Sequence, residues 1–68
     1  MLVTVNGSER ELQAEATVAD LVGQLPVAPD GRGVAVAVEG MVVPRGSWSS
    51  TSLDHGAKVE VVVAVQGG

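Results

Sequence analysis

Apolar residues leave the strand period for a helical one and return to it along this chain of 68 residues, and that excursion limits the fold more than any other feature. Val3 and Val5, and later Val34, Val36 and Val38, recur at every second position, the spacing of a strand with one face inward. Between these runs Val18, Leu21, Val22 and Leu25 fall at i, i+3, i+4 and i+7, the positions of an apolar helical stripe. One short amphipathic helix set among strands is the expected architecture.

Turn chemistry divides the strands. Asn6-Gly7 is the dipeptide best able to adopt the positive φ angles of a two-residue hairpin turn, so "LVTVNGSERELQA" predicts two strands, with Leu12 the clearest inward residue of the second. Thr17 is placed as helix N-cap, Asp20 three residues on completes an approximate capping box, and Pro26 stops the helix. Gly23 inside it costs about 1 kcal/mol relative to Ala, so the helix must depend on packing. "VAPDGRG" reads as a loop, Glu39-Gly40 as the turn of a second hairpin within "VAVAVEGMVVP", and "RGSWSSTSLDHG" as irregular.

"AKVEVVVAV" is the last strand, with Val59, Val61, Val63 and Val65 on one face and Lys58, Glu60, Val62 and Ala64 on the other. As the most hydrophobic strand it is expected in the middle of the sheet, where both of its edges are paired. The order β-β-α-β-β-β specifies an α+β domain in which a single mixed sheet packs one face on one helix. No repeat or linker interrupts it, so one domain is expected over residues 1–68, with a flexible Gly-Gly tail at 66–68.

The composition leaves little for catalysis. A domain of this size buries only about 60% of the surface its unfolded chain exposes, so a deep cleft is not expected. Net charge is −4, and the four basic residues Arg10, Arg32, Arg45 and Lys58 are scattered, which provides no cationic stripe for nucleic acid. The acidic surface suits a protein partner with a basic face. Absence of cysteine excludes thiolate nucleophiles, disulfides and iron–sulfur ligation. With no apolar run near 18 residues and no charged-then-apolar leader, a membrane span and a signal peptide are not expected, and the cytoplasm is the expected location. His55 lies in "LDHGA", which is turn chemistry, and the eight carboxylates lie singly, without a metal-binding cadence. Trp48, the one aromatic residue, is read as the plug of a Val/Ala core, with direct partner contact as the alternative and Arg45 able to stack on its ring.

What remains is the tail. Gly67 and Gly68 have no side chains, so with Gln66 they form a segment slim enough to thread a narrow tunnel. The final group is an α-carboxylate, ionised at neutral pH and a poor electrophile until joined to a leaving group such as AMP. A passive loose end is the competing reading. One sheet face is also unusual, because Thr4, Ala35, Ala37, Val62 and Ala64 are small or apolar where charges would be expected. If the last strand lies between those of Thr4 and Ala35, they form a shallow docking patch.

The stretches "VTVNGSERELQAEATVADLV", "GVAVAVEGMVVPRGSW" and "VEVVVAVQGG" together resemble the ubiquitin-like β-grasp sulfur carriers, and among them the carriers of thiamine biosynthesis. The resemblance covers most of the chain outside the loop at 26–33. It implies a protein cosubstrate and not an enzyme. The Gly68 carboxylate would be adenylated, with ATP and Mg, by a partner adenylyltransferase related to ubiquitin-activating enzymes. It would then become a thiocarboxylate with sulfur from a cysteine desulfurase or a similar donor, and thiazole synthase would receive that sulfur. No cofactor would be held permanently. The small subunit of molybdopterin synthase, a protein modifier conjugated to lysines, and a plain interaction domain are the alternatives.

Overall fold

The computed structural model describes residues 1–27 and 31–64. Strand β1 (Leu2–Val5) turns at Asn6 and Gly7, with φ of 51° and 84°, into β2 (Ser8–Glu11). Two successive positive φ angles match the right-handed twist of the flanking strands, which is why Asn-Gly serves here. Val3 and Val5 point into the core, and Leu12, one residue past β2, is buried with them.

Helix α1 (Val18–Gly23) has the full capping box expected from its sequence. The Asp20 amide donates to Thr17 Oγ1 at 3.2 Å, and the Thr17 amide donates to Asp20 Oδ2 at 2.9 Å, which satisfies two amides the helix itself leaves unpaired. Val18, Leu21 and Val22 are buried, and Leu25 packs against the core from its edge. Leu53 donates its amide to Ala16 O and Val18 to Thr51 O, so the segment after the second hairpin fastens the helix start to the body.

Strands β3 (Val34–Val38) and β4 (Met41–Val43) form the second hairpin, turning at Glu39 and Gly40 with φ of 50° and 81°. The stretch expected to be irregular contains a 3-10 helix, Arg45–Ser50. Its two-turn length buries Trp48, whose Nε1 donates to Val43 O at 2.9 Å and so satisfies the indole inside the core. Sequence periodicity could not show this element, because a six-residue 3-10 helix with one buried side chain has no apolar repeat.

Strand β5 (Lys58–Val63) lies in the middle of the sheet, whose order is β2-β1-β5-β3-β4. It runs parallel to β1 and antiparallel to β3, so the sheet is mixed. Val59 is fully buried and Val61 half-buried, while Val63 on the same face is 48% exposed because it extends beyond the packed core. The strand ends at Val63, and Val65, expected to continue it, lies outside the described residues.

Candidate functional site

Apolar groups remain in water on the outer face of the sheet, toward the C-terminal end of β5. Val62, 64% exposed, stands opposite Ala35, while Ala37 stands opposite Glu60 on one side and Val42 of β4 on the other. Directly opposed residues project from the same face, so Val62, Ala35, Ala37 and Val42 form one outward band across three strands, with the exposed Glu60 among them. Val42 is 75% exposed, more than Val62. The hairpin register is the sequence signal that could have found it: a two-residue turn at Glu39-Gly40 sets Val38 against Met41 and therefore Ala37 against Val42.

Thr4 sits elsewhere. It is opposed by Lys58 in β5 and by Glu9 in β2. Lys58 is four residues from Val62, about 13 Å along a strand rising ~3.3 Å per residue. The structure therefore groups Ala35, Ala37 and Val62, continues to the exposed Ala64, and leaves Thr4 beside a lysine and a glutamate. Parallel pairing is the reason, since β1 meets only the first part of β5 and turns away before Val62 is reached.

Residues of the two hairpin turns hold β5 along its length. Glu39 donates its amide to Lys58 O at 2.8 Å and accepts the Lys58 amide on Oε2 at 2.7 Å. On the opposite edge, the Asn6 amide donates to Val59 O and the Asn6 carboxamide bonds Val61. Ala64 still donates to Gly33 O at 2.7 Å, so pairing with β3 continues one residue past the strand. Gln66, Gly67 and Gly68 lie outside the described residues.

His55 occupies the exposed turn before β5, where Nδ1 accepts the Leu2 amide at 3.1 Å and ties down the start of β1. That interaction is structural. Among the described residues no three His, Cys, Asp or Glu side chains come together as a metal-ligand set, and no charged or polar residue is buried. A shallow pocket of about 250 Å³ near the helix start includes Glu15 and Asp20, but the Asp20 carboxylate is committed to the capping box. No described helix is long and apolar enough to cross a membrane. The described surface can offer an apolar face to a partner.

The ThiS family model matches residues 3–68. A crystal structure of a thiamine biosynthesis protein (ThiS) from Geobacter metallireducens is similar with a TM-score of 0.81 and 30% identity, covering all of both chains. A solution NMR structure of a thiamine biosynthesis protein from the same organism has a TM-score of 0.79 and 30% identity, covering all of this chain and 88% of that one. A thiazole synthase from Paramagnetospirillum magneticum is 38% identical over the 68 residues, and the chain spans only 20% of that relative's length. The sheet order, the single helix and the match along nearly the whole sequence agree: the chain belongs to the ThiS family and has the ubiquitin-like β-grasp fold of the ThiS structures.

Proposed function

We propose that this chain carries sulfur as a thiocarboxylate on Gly68 and donates it to a thiazole synthase, acting in the cytoplasm as a cosubstrate of other enzymes. The observation that carries the reading is the family match, which extends through Gln66, Gly67 and Gly68. A partner adenylyltransferase joins the carboxylate to AMP, forming the acyl–phosphate bond as pyrophosphate leaves MgATP. Donor sulfur then attacks the acyl carbon, and the C–S bond forms as the bond to AMP breaks. Where the donor is a persulfide, as from a cysteine desulfurase, a thiol then cleaves the S–S bond and leaves the thiocarboxylate. The carrier supplies the acyl group and its position; ATP and Mg belong to the partner.

Two features support these roles. A chain without cysteine has no thiol of its own to capture the activated acyl group. The band of Val62, Ala35, Ala37 and Val42 is an apolar surface suited to docking both the adenylyltransferase and the thiazole synthase. The relative named thiazole synthase favours the thiazole pathway over that of molybdopterin.

Intact-mass spectrometry after incubation with ATP, the adenylyltransferase and a sulfur donor tests the reading. Exchange of one oxygen for sulfur at Gly68 is expected. Deleting Gly68 should abolish activation and leave thermal unfolding unchanged. Lysine-linked conjugates would indicate a modifier instead, and an unaltered mass under conditions that activate a related carrier would remove the carrier role.

A further inference from the structure

The side chain of Asn6 does something that its place in a hairpin turn does not require. Its Nδ2 donates to Val61 O at 3.0 Å, and its Oδ1 accepts from the Val61 amide at 2.9 Å, across 55 residues of sequence. Its own backbone amide already holds Val59 O at 2.9 Å. A primary carboxamide presents a donor and an acceptor side by side, as a peptide group does, so Asn6 adds one more rung to the parallel ladder after β1 has turned away. Beyond that rung, Val62 and Val63 are exposed on opposite faces of β5.

We infer that Asn6 is a positioning residue for the carrier's tail: its carboxamide holds the β1-side edge of β5 at Val61, past the last residue that pairs with β1, while β3 holds the other edge to Ala64, and the two together set the direction in which the end of β5 is presented to a partner. This rests on the carrier reading above. A tail whose root is already ordered reaches the adenylating site without first ordering that root. Turn geometry and clamp are separable here. Glycine adopts the φ of 51° freely and removes both side-chain bonds. Aspartate also tolerates that φ and retains the acceptor, but sets a carboxylate oxygen against Val61 O.

The test compares Asn6→Gly and Asn6→Asp with the unaltered chain by amide exchange and by ATP–pyrophosphate exchange with the adenylyltransferase. Both variants should keep the native circular dichroism spectrum, lose protection at the Val61 amide, and raise KM for the carrier about tenfold with kcat little changed. That factor corresponds to the free energy of ordering one backbone residue. A fall in kcat at unchanged KM, or unchanged kinetics in a folded variant that has lost Val61 protection, would overturn the inference. Retained protection in both folded variants would overturn the clamp itself. If one variant fails to fold, the other decides. If the unaltered chain is never adenylated while a related carrier is, the carrier reading fails, and the inference falls with it even where the Val61 amide is protected.

Discussion

Gly31 rests against the ring of Trp48, and replacing it with alanine tests how the core is closed. Gly31 has φ +74°, and a Cβ built there would lie 2.6 Å from Trp48 Cζ3, 3.0 Å from Cη2 and 3.2 Å from Arg45 Cδ. Carbon atoms do not approach within 3.0 Å without displacement, so the ring or the Gly31 backbone must move. The ring is poorly placed to yield, because moving it strains the bond from Nε1 to Val43 O inside a packed core. Two terms add: about 1–2 kcal/mol for holding a non-glycine residue in the left-handed region, and about 1–3 kcal/mol for overpacking. A total of roughly 2–5 kcal/mol is a large part of the stability of so small a domain.

Gly7 supplies the control for the backbone term. Its φ is +84° and nothing lies within 4 Å of a Cβ built there, so Gly7→Ala incurs the backbone term alone. Urea unfolding followed by the fluorescence of the single tryptophan reads both variants, and the difference between them isolates the contact with the ring. Gly31→Ala should be the less stable by about 1–3 kcal/mol. Equal midpoints for the two variants would refute the argument that Trp48 is tightly seated on Gly31.

Thr17→Ala removes the cap that accepts the Asp20 amide and should lower stability by about 1 kcal/mol, a fall of roughly 4–8 °C in the unfolding midpoint; an unchanged midpoint would show that the packed face alone secures the helix. Val62→Glu places a charge in the exposed apolar band. Its effect on stability should stay within about 1 kcal/mol, while binding to the adenylyltransferase, measured by calorimetry, weakens more than tenfold. Unfolding of that variant would mean that the two faces of β5 are assigned the wrong way round.

The sequence alone determined the elements wherever one residue's chemistry suffices. Asn6-Gly7 and Glu39-Gly40 can adopt the paired positive φ angles, Thr17 and Asp20 can cap a helix, and the alternating valines of β5 have an inward set because the side-chain period of a strand is two. The central place of β5 also followed from its hydrophobicity. Register, by contrast, is a relation between strands far apart in sequence. Only the tertiary structure set Val62 against Ala35, moved Thr4 to the charged side of the face, and brought the Asn6 carboxamide onto Val61. A slip of the β1–β5 pairing would leave the local propensities nearly unchanged while moving Thr4 off Lys58 and the Asn6 carboxamide off Val61, so those positions are decided by the packing of the whole core.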